Sequence, residues 1–508
     1  MSAPLSHLKD RIAALEKGRP VAVGATLVLI ITVAVLSGAY RRPMTIPPGC
    51  PVAFLAAQNL LQHGTFSTKR AAAGARPRSG RPIPPAYPFV LALAARADPR
   101  LAQGLDCEGL RRTQHQAGDR FQSLRLLQAA AGIGILVLVF YLAVELTGSR
   151  AVACAAVVLY VVGGKLGEFA RTIEPDNFRN LATFVSLYLL AVACRKKQSW
   201  LFGAAGASLG VAALFYPLLA ILLLALPLAL AALPWLSRGE ERGRWRGVRY
   251  PASFLLGGLL VVAPWAARNA YLFGDPMLTD HAETLLLSFR VAFNAMPYSD
   301  WPFAVLNWTP SYGNVLARFL FGEAVVGRFG FFEPGAYFAN GHAIFDAAAA
   351  GTPPGGNPYF AVWSGFILAD PVRHLLTSIP IFTRGMWGTH GFMGIVGLCL
   401  LPRLWRRLKA GPNPPAATAV TAFAFLLVAI QSLLAPNFYW MNTPMLLLMS
   451  LAIAHALPDA ARWLDPKLGR LVASLALSGN RTKSELARPA AWTQLPTPDP
   501  PPAPGRRP

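Results

Sequence analysis

Residues 124–147 read LRLLQAAAGIGILVLVFYLAVELT, with one arginine and one glutamate near the ends and an unbroken apolar centre. About 20 residues are enough to cross the roughly 30 Å of hydrocarbon in a bilayer. The stretch is therefore long enough to span, and it is not alone. Apolar runs recur towards the C-terminus near 151–165, 180–194, 200–215, 217–236 and 251–270, and again near 386–402, 416–434 and 439–457. Towards the N-terminus a basic segment with Lys9, Arg11, Lys17 and Arg19 leads into the apolar run 21–39. Tyr40, Arg41 and Arg42 follow it in place of a small-residue cleavage site, so the run reads as an uncleaved first span rather than a signal peptide. The fold class expected is an all-α polytopic membrane protein with about ten transmembrane helices and two long loops carrying interfacial helices.

Composition agrees. Of the 508 residues 54% are hydrophobic and 14% charged, and the mean hydropathy is +0.41. A soluble domain carries about 25% charged residues to cover its wet surface. The formal net charge of +23 would point to nucleic acid in a soluble chain. Here the basic residues collect in loops beside the apolar runs, where they set orientation and meet anionic lipid. No nucleic-acid-binding signature accompanies them, so membrane lipid is expected as a partner and nucleic acid is not. The five cysteines form no CxxC or metal-ligand spacing, which removes thiol-redox and metal-cluster chemistry. Cys50 and Cys107 share the first long loop and could pair in an oxidising compartment.

Charge also orients the chain. The short loops at Arg150, at Arg195-Lys196-Lys197, at 238–249 and at 403–409 are strongly basic, and the order of spans puts all four on one side. By the positive-inside rule that side is the cytoplasm. Residues 1–20 then form a cytoplasmic N-terminus, 21–457 the membrane domain and 458–508 a cytoplasmic tail. The long loops 40–123 and 271–385 face the opposite side, a bacterial periplasm across the inner membrane. The first loop carries twelve Lys/Arg against four acids, but the rule is weak for loops beyond about 60 residues. The tail ends PTPDPPPAPGRRP at 496–508 and cannot bury enough apolar surface to offset its ordering entropy.

Charges near membrane depth are rare and are functional candidates by default. The densest cluster is RTIEPDNFR at 171–179, between two apolar runs on the expected outer side. Glu174 and Asp176 offer a general base or a metal ligand, and Arg171 and Arg179 an anion clamp; the alternative is a solvated loop whose charges pair among themselves. PPAYP at 84–88 reads as a rigid turn before an interfacial helix. Arg268, in APWAARN at 263–269, could grip a phosphate with its fork of donors or snorkel to lipid headgroups.

Together these pieces resemble the GT-C membrane glycosyltransferases, in the bacterial branch of aminoarabinose transferases and protein O-mannosyltransferases (glycosyltransferase family 39-like). AFLAAQNLLQHGTF at 53–66 looks like that family's A-x-x-L-L-x-x-G-x-F helix. PPAYP resembles its PPGYP turn, which brings in Tyr87. Arg125 opens a span as the family's element does, and Glu174 falls where the family often has an acid. PWAARNAYLFG at 264–274 is similar to its PW-x-x-RN stretch, and NFYWMNTP at 437–444 loosely resembles the entry to its last span. Two departures stand out. The family's acid just after the first span is missing from RRPMTIPPGCPVAF at 41–54, and Phe438 occupies the place of an arginine.

The resemblance implies transfer of a hexosyl or pentosyl group from a polyprenyl-phosphate carrier to a periplasmic glycan, lipid or protein acceptor. Glu174 or Asp176 would act as general base, and Arg171, Arg179 and Arg268 would hold the departing phosphate, with Tyr87 roofing the site. No metal site or other cofactor is implied, although a divalent ion beside the carboxylates stays open. Two rivals are a catalytically degenerate scaffold of the same fold, which would lack transfer, and a lipid-linked glycan transporter or flippase. A transporter would want midplane charges and an internal repeat, and the sequence has no such repeat.

Overall fold

The computed structural model describes residues 51–70, 75–105, 120–164, 168, 172–232, 244–309, 312–330, 333, 335–353, 356–387, 391–438 and 441–464. The first apolar run, Cys50, Cys107, Arg171 and the tail beyond residue 464 lie outside them. Every regular element among the described residues is a helix. The first long loop carries α1 (Val52–His63), α2 (Ala86–Ala97) and α3 (Pro99–Gly104). The membrane domain continues with α4 (Gln122–Thr147), α5 (Arg150–Gly163), α6 (Asp176–Lys196), α7 (Ser199–Phe215), α8 (Leu218–Ala232) and α9 (Arg244–Phe273). The second long loop folds into α10 (His281–Ala292), α11 (Trp301–Asn307), α12 (Gly313–Phe321), α13 (Glu323–Gly327), α14 (Tyr337–Gly351), α15 (Pro358–Val362) and α16 (Pro371–Met386). Three helices close the chain: α17 (Gly391–Lys409), α18 (Pro414–Leu434) and α19 (Thr443–Leu464).

Each expected apolar run beyond the first is mostly helical over its described part. Among the described residues, five helices are long and apolar enough to cross a membrane: Gln122–Thr147, Asp176–Lys196, Val248–Phe273, Pro414–Leu434 and Thr443–Ala460. The protein is an all-α polytopic membrane protein. Helices α5, α7 and α8 are apolar but shorter. Local chemistry sets the ends. Gly148, with φ of 71°, closes α4 in the left-handed conformation that suits glycine. Ser149 then caps α5 by accepting the Val152 N–H at 3.3 Å, and Asn413 caps α18 by accepting that of Ala416 at 3.3 Å. Helix α19 runs past Pro458, where the membrane domain was expected to end. Neighbouring groups can satisfy what a proline frees in a membrane helix, and Asp459, one residue on, is held by Arg403 and Arg407.

One large apolar core joins α4–α9 with α17–α19 around Phe184, Phe202, Phe254 and Phe423. Its closest seam lies between α7 and α9. Gly203, Gly206 and Gly210 share one face of α7. A Cβ added at Gly206 or Gly210 would overlap the α9 backbone at Phe254 and Gly258, and one added at Gly257 of α9 would overlap the backbone of Gly203. Small residues let membrane helices approach in this way. Outside this bundle, α1–α3 pack around Phe54, Leu91, Leu101 and Phe121, and that cluster also takes in Ile173 and Phe215. The first long loop is thereby seated over the start of α6. Arg81 ties it to the second long loop: its Nη1 donates to the Asp275 carbonyl at 2.7 Å and its Nη2 pairs with the Asp275 carboxylate at 2.9 Å.

Candidate functional site

The turn Ile173-Glu174-Pro175 delivers the chain into α6. Pro175 precedes the helix and Asp176 lies in its first turn, where a negative charge complements the helix dipole. The turn is fixed to α4 from both directions: Gln128 Nε2 donates to the Glu174 carbonyl at 3.2 Å, and Asn177 Nδ2 donates to the Gln128 carbonyl at 3.2 Å. One helical turn into α6, Arg179 pairs with Asp176 at 2.7 Å. Both side chains are almost wholly removed from solvent, at 6% and 12% exposure. Arg179 also donates to Asn180 Oδ1 through Nε at 3.3 Å and Nη2 at 3.2 Å, and its guanidinium lies over the Tyr216 ring at 5.5 Å. Thr443, at the start of α19, donates to the same Asn180 oxygen at 3.3 Å. Helices α4, α6 and α19 therefore converge on this pair.

Glu174 stands at the rim. The residue reaches the surface, and Thr172 Oγ1 donates to its Oε2 at 3.3 Å. Loss of solvent around the carboxyl, and then the neighbouring Asp176 charge, raise its pKa above the ordinary glutamate value of 4.5. Tyr87 comes in from α2, buried at 4% exposure with its ring 6.2 Å from that of Phe178. Burial first, then the Glu174 charge, push its phenol well up, so the hydroxyl stays protonated and able to donate.

Buried polar groups normally have partners. Here Tyr87 Oη, Gln128 Oε1, Tyr160 Oη, Asn177 Oδ1 and Asn180 Nδ2 are buried without a hydrogen-bond partner among the described residues. They include donors, acceptors and hydroxyls that can do either, and they surround one buried ion pair. Such a neutral mixture suits ligand hydroxyls, and the arginine beside it suits an anion.

Of the residues singled out in the sequence, Glu174, Asp176, Arg179 and Tyr87 come together. Arg268 does not join them. Its Nη1 donates to Asn269 Oδ1 at 2.8 Å, and its guanidinium lies 4.4 Å from the Trp265 ring, 5.9 Å from Phe66 and 5.8 Å from Phe273. Phe89 packs on the Phe66 and Trp265 side of this cage. Tyr87 and Phe89 are two residues apart on α2, and successive residues turn about 100° on a helix. The two side chains thus leave opposite faces, and α2 stands between the acidic turn and Arg268. Among the described residues, no cluster of three or more His, Cys, Asp or Glu could hold a metal ion. Gln128, Tyr160, Asn177, Asn180, Tyr216 and Thr443 were not singled out as site residues in the sequence: Gln128, Tyr160, Asn180 and Tyr216 sit singly in or beside apolar runs, and Asn177 and Thr443 lie within quoted stretches whose other residues drew the reading. The signal that could have found some of them is a polar residue inside a span, such as Gln128 in α4.

Comparison with known proteins bears on this same part of the chain. Residues 115–267 match the family described as dolichyl-phosphate-mannose-protein mannosyltransferase. The match covers under a third of the 508 residues but holds Gln128, Tyr160, Glu174, Asp176, Arg179, Asn180 and Tyr216. Over that stretch the chain is similar to that family. No curated protein matches the sequence. Among solved structures, the oligosaccharyltransferase AglB from Archaeoglobus fulgidus, in complex with an inhibitory peptide and a dolichol-phosphate, aligns at 11% identity with a TM-score of 0.49, over 92% of this chain and 56% of that one. ArnT from Cupriavidus metallidurans bound to undecaprenyl phosphate aligns at 14% identity with a TM-score of 0.35, over 87% and 79%. The chain thus spans little more than half the length of the archaeal enzyme.

Proposed function

We propose that the protein transfers a sugar from a polyprenyl-phosphate carrier to an acceptor hydroxyl, at the turn that opens α6. The observation that carries the reading is a carboxylate at the rim, Glu174, harder to ionise than an ordinary glutamate, five residues before a buried cation, Arg179, with neutral polar atoms that lack partners nearby. In the reaction the acceptor oxygen attacks the anomeric carbon of the sugar, and the bond from that carbon to the phosphate oxygen breaks. Glu174 takes the acceptor proton; its raised pKa makes it a stronger base than an ordinary glutamate. Asp176 is a poorer candidate, since its carboxylate is engaged with Arg179. It acts instead as a positioning residue that aims the guanidinium. Negative charge grows on the leaving phosphate, and Arg179 offers it the donors that Asp176 and Asn180 leave open. Tyr87, Gln128 and Asn177 would take sugar hydroxyls. Arg171, in the same nine residues of sequence, remains a second phosphate ligand by sequence alone. Arg268 is reassigned to anchoring the first long loop.

The basic short loops favour the face opposite them, the periplasmic face of a bacterial inner membrane, as the active one. The test is purified protein in lipid with a radiolabelled pool of polyprenyl-phosphate sugars and a mixed glycan, lipid and peptide acceptor fraction. Label should leave the carrier and appear in an acceptor, with release of polyprenyl phosphate. Retention of all label on the carrier, with binding intact, would favour the degenerate scaffold. Label moving between leaflets without changing molecule would favour the flippase.

A further inference from the structure

A second site lies away from the acidic turn. Helices α17, α18 and α19 border a half-open cavity of about 290 Å³, lined by Leu401, Trp405 and Leu408 of α17, Thr421 and Phe425 of α18, and Leu448 of α19. Its walls are almost wholly carbon. Pockets for compact metabolites carry a few placed polar groups that orient the ligand, and this one has almost none. The charge is at its end instead. Helix α17 finishes with Arg403, Arg406, Arg407 and Lys409 and no acid between them. Asp459 engages Arg403 and Arg407. Arg406 and Lys409 are exposed and have no carboxylate partner among the described residues. Lys409 Nζ lies 4.8 Å from the centroid of the Trp405 ring, so one of these cations is fixed on the cavity wall itself.

An apolar slot with cations at its basic end fits a ligand that is hydrocarbon along its length and anionic at its head. We infer that this cavity is a binding site for an anionic phospholipid. One acyl chain lies against Leu401, Phe425 and Leu448, and the phosphate meets Lys409 and Arg406. Trp405 belongs at that boundary, since indole rings favour the depth of the headgroups. A peptide segment suits the slot less well, because its backbone would find no hydrogen-bond partners on carbon walls.

Brominated acyl chains quench tryptophan on contact, and Trp405 is the reporter. Full-length protein is reconstituted in phosphatidylcholine vesicles carrying a minor fraction of brominated phosphatidylglycerol or of brominated phosphatidylcholine. The Trp405 signal is the difference between the parent protein and Trp405→Phe. Juxtamembrane cations are worth about 1 kcal/mol each towards anionic lipid, which is about fivefold. Trp405 should therefore be quenched at least several-fold more effectively by the anionic lipid, and Lys409→Glu with Arg406→Glu should abolish the preference. Equal quenching by both lipids, or a preference that survives the charge reversal, would overturn the proposal and leave only an annulus of bulk lipid. If Trp405→Phe does not fold, native mass spectrometry of the parent protein and Lys409→Glu replaces it. Retention of phosphatidylglycerol by the first and not the second supports the site, and equal retention refutes it. Transfer activity is not the readout, so failure here is separate from failure of the proposed reaction.

Discussion

Helix α2 has two sides, and they treat an arginine differently. On the Tyr87 side, Arg179 is buried against Asp176 and is surrounded by polar atoms that lack partners. On the Phe89 side, Arg268 is stacked on Trp265 and hydrogen-bonded to Asn269, whose own amide donates to the Met277 carbonyl at 2.8 Å. The second arrangement is complete as it stands. A cation over aromatic rings contributes about 0.5–2 kcal/mol to the fold and asks for no ligand. The first is incomplete, because a buried polar atom left unpaired costs about 1–3 kcal/mol. Such groups are completed by an ordered water or by a ligand. The contrast teaches that a guanidinium near the membrane edge is not a phosphate site by its charge alone; the unpaired neutral groups around it decide.

The comparison can be broken most forcefully at Arg179. Arg179→Met should lower transfer by about 10²–10³-fold, the scale seen when one donor to developing negative charge is removed. It should also destabilise the fold by about 3–5 kcal/mol, since Asp176 is left buried and unpaired. Asp176→Asn combined with Arg179→Met should restore much of the thermal stability and none of the transfer. Recovery of both would reduce the pair to a structural strut.

A pH profile sharpens the assignment of the base. The Glu174 carboxyl is harder to ionise in the fold than in an open chain, through lost solvent and then the Asp176 charge. Its contribution to stability is present below the ordinary glutamate value and declines as pH rises through the raised one. Activity has the opposite sign, because the base works ionised. The acid limb of the transfer profile should therefore lie above 4.5, the ordinary glutamate value, and Asp176→Asn should move it down. A limb that stays in place in Asp176→Asn would take Glu174 out of the role.

The smallest effect belongs to Tyr87. Its hydroxyl has no partner among the described residues, so Tyr87→Phe should leave the melting temperature unchanged or raise it, by relief of an unpaired buried group. If the hydroxyl holds a sugar oxygen, KM should rise by about 3- to 10-fold, the worth of one neutral hydrogen bond. A drop in stability with unchanged KM would place Tyr87 in the core and not in the site.

Much of this was legible in the sequence. The spans follow from run length and hydropathy, and the RTIEPDNFR turn announces itself as charge held between two of them. What was not legible is rotation about the bundle. Arg268 and Glu174 were grouped because the order of spans puts both at outer ends. That order says nothing about which face of an intervening helix each one meets, and α2 separates them. The neutral ring around Arg179 was hidden for a related reason. Asn177 and Asn180 lie near the start of α6, and Thr443 opens a helix far along the chain; only packing brings them together. The membrane domain was expected to end at 457, whereas α19 continues through Pro458 to Leu464.

The most direct test sets the two sides of α2 against each other in one experiment. Glu174→Gln and Arg268→Met are reconstituted in the same lipid and assayed for transfer from the radiolabelled polyprenyl-phosphate sugar pool, with folded protein quantified in each sample. The account predicts that Glu174→Gln folds normally and loses transfer by about 10²-fold or more, as expected for removal of a general base, while Arg268→Met melts lower but keeps transfer within a few-fold. Transfer that survives Glu174→Gln and vanishes in folded Arg268→Met would contradict it, and would move the reaction to the Phe89 side of the helix.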